Sequence, residues 1–328
     1  MIVVTGAAGF IGSALVWGLN RQETSDILVV DSPGSSNKWG NLVNLQFSDI
    51  IDTDAFITKL EQGAFGNSIE SIIHMGANTD TTETDADFLI SNNYEYTKRL
   101  AQWCIVNGRR FVYASSAATY GDRVEDFSDD HSILPKLRPL NMYAYSKHLF
   151  DLWAWRHNYL DRIAGLKYFN VFGPNEYHKG EMRSVVHQAF EQVRSTGKVK
   201  LFKSHRPEYK HGWQMRDFIY IKDVVEMTLF VFSHPAINGI INVGTGRARS
   251  FQDLVLAIFN SMSLKPDIEY IDMPESIRPR YQYFTQADVS RLRDLGYAKP
   301  TCSLEEAVAD YVKSYLLKEN SHLGNGED

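Results

Sequence analysis

The chain has 328 residues, enough for a large core or for one domain with a smaller companion, and two lobes are expected. Its formal net charge of -6, with 44% hydrophobic and 23% charged residues, is ordinary for a soluble globular protein and leaves no positive excess for nucleic acid, so no nucleic-acid partner is expected. Two cysteines, Cys104 and Cys302, are too few for a disulfide framework and lack zinc-site spacing; both read as buried or partly buried thiols of a reducing compartment, with no metal expected.

Met1 to Gly6 reads as a strand entering a glycine turn rather than a basic and apolar signal segment. No later apolar run approaches the roughly 20 residues that span a bilayer. A soluble, cytoplasmic chain without a membrane partner is expected. Strand and helix patterns then alternate: Ile2 to Val4, a helix from about Ile11, Ile27 to Val30, Ser71 to His74, a long helix around Phe88 to Val106, and Arg110 to Ala114. Alternation of this kind predicts an α/β fold with a parallel sheet and crossover helices on both faces. The apolar runs at 27–30 and 111–114 suit strands covered on both sides. A helix follows Asn141, and a strand spans Gly165 to Phe169. Ser250 and Ser303 each precede an acid by three residues and predict helix starts. Ala307, Tyr311, Val312, Tyr315 and Leu316 fall at helical spacing and should pack on the fold. The tail from Glu319 to Asp328 is polar and expected to fray.

Gly6, Gly9 and Gly12 lie between the first strand and the first helix, with Phe10 and Ile11 opening that helix. Such glycines let backbone N–H groups and a helix N-terminus approach a pyrophosphate, and Asp31 ends the second strand where an adenosine ribose would be read. Together these features predict a Rossmann-like, doubly wound sheet binding a nicotinamide dinucleotide. An acid at Asp31 favours NAD, whereas Ser32 and Lys38 in the following loop could accept the 2'-phosphate of NADP. Met75, Gly76, Ala77 and Asn78 follow a strand end where the chain passes close to the cofactor. His74 reads as a packed strand-end histidine.

Tyr143 and Lys147 stand four residues apart and share a helix face. A phenol, with an ordinary pKa near 10, serves as a base near neutrality only if a cation stabilises the phenolate, and Lys147 would supply that charge. Tyr145 competes by residue type but has no lysine at that offset. Ser116 leaves a strand end and could donate to a substrate oxygen that alternates between alcohol and ketone.

With those residues in place, the chain resembles the extended short-chain dehydrogenases acting on nucleotide sugars, and within them the heptose 6-epimerase family. The likeness rests on residues 113–121, 168–174, His178-Lys179-Gly180, Arg216-Asp217-Phe218, and 280–288 with Phe284-Thr285-Gln286-Ala287-Asp288. What the resemblance implies is inversion at C6 of ADP-D-glycero-D-manno-heptose through a transient 6-ketone, in lipopolysaccharide core precursor synthesis. NADP is the implied cofactor, with NAD as the alternative, because Lys38 matches the family's 2'-phosphate contact. Asn92 and Val171 join the implied cofactor contacts. Tyr143 and Lys179 would share the proton transfers, and substrate contacts carry over to Ser116, Asn170, Glu181, Gln188, Phe202, Ser204, Arg216 and Tyr281. Arg216 suits a diphosphate, the alternative being a structural ion pair with Asp217 or another acid. The implied organisation is a mainly NADP-binding domain over 1–170, to which about 217–250 return, a smaller substrate-binding α/β lobe over 171–216 and 251–318, and the tail 319–328. A homo-oligomer is implied, a pentamer being one form.

Departures from the family pattern are Gly6-Ala7-Ala8-Gly9, Ser32 in place of an asparagine, Glu181 in place of a small residue, and a longer stretch from Ser204 to Met215 that either closes over the nucleotide or is solvated. Rival readings are another nucleotide-sugar epimerase such as a UDP-hexose 4-epimerase, a 4,6-dehydratase, and a noncatalytic dinucleotide-binding regulator. Ala117 and Ala118 stand where a dehydratase would carry its acid and base, and a regulator would be marked by loss of Tyr143 or Lys147.

Overall fold

The computed structural model describes residues 1–121, 127–275, 277–278, 281–319 and 321–325. Six strands, β1 (Ile2–Thr5), β2 (Ile27–Val30), β3 (Asp49–Ile51), β4 (Ser71–His74), β5 (Arg110–Ser116) and β6 (Ala164–Tyr168), join Gly239–Val243 in one sheet. Their order is Gly239–Val243, β6, β5, β4, β1, β2, β3, and every pairing is parallel. Chain direction across the sheet reverses between β1 and β4, and ligands of doubly wound folds settle beyond the strand ends at that reversal.

Strand side chains alternate between faces, so neighbours in one strand serve different cores. Val4, Val29, Ile73, Val112 and Leu166 pack in one hydrophobic cluster, while Val3, Leu28, Ile72, Phe111 and Tyr113 pack in the other. The first is covered by α1 (Phe10–Asn20) and the helix Ile221–Ser233, which meet so closely that a Cβ on Gly18 would lie 2.3 Å from a Val225 methyl. The second is covered by helices Tyr96–Val106 and Met142–Arg156. C-terminal elements extend the first cluster: helices Val185–Thr196, Phe251–Ser261 and Leu304–Asp310 supply Phe190, Ile258 and Val308 to it. Beside them, Val199–Phe202 pairs in parallel with Ile268–Ile271.

The predicted helix starts are built as expected. Asn141 Oδ1 accepts the Ala144 N–H at 2.8 Å, and Ser250 and Ser303 both form capping boxes. Two local readings need correction. Cys302 is exposed, whereas Cys104 is buried. The tail is docked over residues 321–325 rather than frayed, because its single leucine finds an apolar site: Leu323 is fully buried and its N–H donates to Asn175 Oδ1 at 3.1 Å. Tyr177 OH donates to the Ser321 carbonyl at 2.8 Å. Residues 320 and 326–328 of that tail lie outside the described residues. Among the described residues, no helix is long and apolar enough to cross a membrane.

Candidate active site

A cavity of about 720 Å³ opens at the C-terminal ends of β1, β2 and β4. Its floor is the glycine loop. Gly6 sits at φ +65°, and a Cβ there would lie 2.5 Å from Gly76 N, so the turn after β1 and the turn after β4 touch through bare backbone. A Cβ on Gly12 would lie 2.1 Å from Gly6 O. The first turn of α1 has no side-chain cap and no acid, which leaves its N–H groups to an anionic ligand. Ser32, Lys38, Met75, Ala77, Asn78 and Asn92 also line this cavity.

At its rim, Asp31 accepts the Ala8 N–H at 2.8 Å and pairs with Lys38 at 2.6 Å. The acid thus steadies the glycine loop and the neighbouring cation. Ser32 turns its hydroxyl to Asp52, which caps the next helix. The predicted long helix before β5 is interrupted by a wide turn at Ile90–Glu95, a distortion common at functional sites. This turn buries Asn93, which receives the Asn78 N–H at 2.9 Å and donates to the Asn78 carbonyl and to Ser146 Oγ. Sequence reasoning named Asn92 but missed Asn93, which carries no spacing signal. His74 is indeed packed, held between Thr5 and Thr97.

A second cavity, of about 360 Å³, continues from the first. Phe10, Ile11, Met75 and Lys179 line both. Tyr143, Lys147, Ser116, Asn170 and Val171 line the second. Ser116 stands beside Tyr143 and favours its phenolate, and the Lys147 ammonium donates to the Ala114 carbonyl at 2.9 Å. Burial pushes Lys147 down to about 8, with Asp151 opposing the shift. Burial also raises the Tyr143 phenol, only partly offset by Ser116. The expected acidification of the phenol by Lys147 is therefore not expressed here: the ammonium is turned to a strand carbonyl, and desolvation of the phenolate wins. Tyr145, 44% exposed, lines neither cavity, which removes it as the competing base.

Lys179 is no surface lysine. It stands at the junction of the two cavities with its ammonium 5.5 Å from the Phe10 ring centre. Burial lowers its pKa, and the nearby Glu176 charge acts in the opposite sense.

Phe202, Arg216 and Tyr281 form an adjoining group. The Arg216 guanidinium lies 5.3 Å from the Tyr281 ring centre and 5.6 Å from that of Phe251, and donates to the carbonyls of Met215 and Gln282. Its alternative partner is otherwise engaged: the Asp217 carboxylate accepts N–H groups of Thr245, Gly246 and Ala287. No described carboxylate forms an ion pair with Arg216. Of the expected substrate residues, Ser116 and Asn170 line the cavities; Phe202, Arg216 and Tyr281 line neither and adjoin the second through Phe251, and three others lie apart from both. Glu181 is exposed, Gln188 spends its amide on the carbonyls of Glu181 and Arg183, and Ser204 closes its own turn by donating to Arg206 O at 2.8 Å. Met182, Arg183 and Ser184, which sequence reasoning missed, line the second cavity instead. The long loop folds back on Tyr283, whose hydroxyl accepts the His205 N–H at 2.9 Å. Arg280 of the quoted motif lies outside the described residues.

The chain belongs to the NAD dependent epimerase/dehydratase family, whose model matches residues 2–244. It is an enzyme of the nicotinamide-dependent class that the sheet, glycine loop and Tyr143-Lys147 pair define. It is 51% identical over 323 residues, 98% of this chain and 100% of the relative, to ADP-L-glycero-D-manno-heptose-6-epimerase of Nitratidesulfovibrio vulgaris. A relative of the same name from Fusobacterium nucleatum is 48% identical over 332 residues, with 98% and 100% covered. Among solved structures, ADP-L-glycero-D-manno-heptose-6-epimerase of Helicobacter pylori matches with a TM-score of 0.80 at 27% identity over 95% of each chain. UDP-glucose 4-epimerase of Thermotoga maritima, at 23% identity over 98% of this chain and 99% of its own, shares the fold with a TM-score of 0.80.

Proposed function

We propose that the chain inverts C6 of the heptose in ADP-D-glycero-D-manno-heptose, giving the L-glycero epimer. The observation that carries this reading is that Tyr143 and Lys179 reach one cavity from separate elements, a helix and the loop before Val185–Thr196. Inversion through a ketone needs proton transfer in two orientations of one oxygen, and two groups on different walls can serve the two. The names of the relatives support the same substrate.

In this reading the bound nicotinamide supplies reversible hydride exchange at C6. Tyr143 exchanges a proton with the C6 oxygen in one orientation, with Ser116 hydrogen-bonded to that oxygen. Lys147, charged below its lowered pKa, offsets developing negative charge beside the phenol. Lys179 exchanges the proton in the other orientation; its lowered pKa increases the amine fraction available as a base near neutrality. Arg216, with its flat fork of donors and no described acid partner, takes the diphosphate, and Phe202, Tyr281 and Asn170 flank the sugar nucleotide. NADP is the proposed cofactor, its 2'-phosphate meeting Lys38 at the rim. The proposed organisation is a cofactor domain over 1–170 with 217–250, and a substrate lobe over the remainder to 318. Cytoplasmic lipopolysaccharide core precursor synthesis, carried out by a homo-oligomer, is the proposed setting.

The test is incubation of purified protein with ADP-D-glycero-D-manno-heptose and NADP, followed by NMR at C6. Inversion supports the reading; retained configuration, with UDP-galactose converted instead, would replace it by a 4-epimerase.

A further inference from the structure

Glu176 is fully buried, yet no step of the proposed reaction uses it. Its carboxylate accepts the N–H and the hydroxyl of Ser184, the latter at 2.6 Å, and the Gly173 N–H at 3.4 Å. Ser184 in turn caps the helix Val185–Thr196 through the His187 N–H at 3.2 Å. A single carboxylate therefore closes the base of the loop from 176 to 184. Lys179 lies within that loop, and its own N–H donates to the Glu176 carbonyl at 3.0 Å. Beyond it, Gly180 adopts φ +55° and receives the Arg183 guanidinium at 2.6 Å. Both ends of the excursion that carries Lys179 into the cavities are thus tied to Glu176.

Charge points the same way. A buried carboxylate is costly without donors and a nearby cation. Burial raises the Glu176 carboxyl, and the two Ser184 donors, the Lys179 charge and the Tyr311 hydroxyl act in the opposite sense. Around Lys179 stand His178 and Arg183 on its own loop, Glu176 beneath it, and the Phe10 face on α1. Asp31 and Lys38 face Lys179 across the larger cavity but are paired with each other, and Glu176 is the acid whose charge acts on Lys179.

We infer that Glu176 is the positioning residue of Lys179: its carboxylate holds the loop that places the amine between the two cavities and serves as the amine's counter-charge. This inference rests on the reading of Lys179 as the second proton-transfer group. The charge of Glu176 keeps the ammonium form populated to higher pH, so Lys179 can return the proton it has taken.

The experiment measures the titration of Lys179 directly, by the pH dependence of its acetylation with acetic anhydride, read by peptide mass spectrometry. Steady-state kcat and KM are measured beside it. In Glu176→Gln, Lys179 should become reactive at lower pH, by on the order of 1 unit, because an opposite charge has been removed. Its kcat should fall about 10- to 100-fold with KM for the nucleotide sugar within about 3-fold. Glu176→Asp, which keeps the charge, should titrate within about 0.3 unit of the parent. An unchanged Lys179 titration in Glu176→Gln, or an equal displacement in Glu176→Asp, would overturn the inference. Ser184→Ala gives a separate arm should Glu176→Gln not fold: it should lower kcat while leaving the titration of Lys179 in place, and unchanged kcat or a displaced titration would count against the proposal. Full epimerisation by Lys179→Met would instead remove the functional reading, which the acetylation measurement does not depend on.

Discussion

Lys38 and Asp31 meet at 2.6 Å on the rim of the larger cavity, and the same carboxylate also holds the Ala8 N–H of the glycine loop. An acid at the end of the second strand ordinarily repels a 2'-phosphate. Here its charge is matched before any cofactor arrives, and the ammonium remains beside the rim.

Lys38→Ala should therefore weaken NADP binding about 10-fold or more while leaving NAD within about 2-fold, since one charge-assisted bond to phosphate is worth on the order of 1.5–3 kcal/mol. Fluorescence titration with both dinucleotides measures this. Equal losses for the two would mean that Lys38 serves only to hold Asp31.

Tyr143→Phe removes the phenol oxygen that meets Ser116 and leaves the helix and the Lys147–Ala114 bond in place. Turnover should drop about 100- to 10,000-fold with little change in dinucleotide affinity. Loss of dinucleotide binding in step with turnover would show that the hydroxyl holds the cofactor.

Acid should destabilise the fold through buried histidines. Burial pushes both His148 and His187 down to about 4, so they stay neutral in the folded chain while the unfolded chain protonates near 6.5. Their contribution to stability is complete above pH 6.5 and is lost as pH falls toward 4, because the unfolded state binds more protons in that window. Urea midpoints measured from pH 7.5 to 4.5 should fall through it, and the double variant His148→Gln, His187→Gln should show a shallower fall. An identical slope in the variant would place the acid sensitivity elsewhere.

Leu323 is the anchor of the docked tail, fully buried with its N–H on Asn175, whose amide also donates to Ser13 Oγ at 3.0 Å. Leu323→Ala should cost about 2–5 kcal/mol of unfolding free energy by the usual large-to-small range. Deletion of everything after Lys318 should cost at least as much. A truncated chain of unchanged stability would show that the tail merely rests on the surface.

Local chemistry explains which of these features were legible from residue order alone. Glycine spacing, the Tyr-to-Lys offset and the serine caps each act within a few residues, so their signatures survive in linear order. Strands β1, β2, β4 and β5 were readable because burial on both faces demands unbroken apolar runs. The short edge strand Asp49–Ile51 was not, since an exposed edge imposes no such demand. Glu181, Gln188 and Ser204 were placed at the substrate by position in a motif, but whether a side chain reaches a cavity depends on where the backbone turns. Asn93 and Glu176 were invisible for the same reason: each is a polar residue whose partners, Asn78 and Ser146 or Ser184 and Gly173, are brought to it only by folding.

By itself, then, the sequence determined the class of this protein: a parallel sheet, a phosphate-approaching glycine loop, and a tyrosine and lysine on one helix face, all set by short-range geometry and by alternation of polar and apolar residues. Tertiary structure decided the rest. It turned Lys147 toward the Ala114 carbonyl, paired Lys38 with Asp31, freed Arg216 from Asp217, and lifted Lys179 from an ordinary loop to the junction of two cavities. Those outcomes depend on desolvation and on contacts between segments far apart in the chain, and such forces arise only when the segments meet.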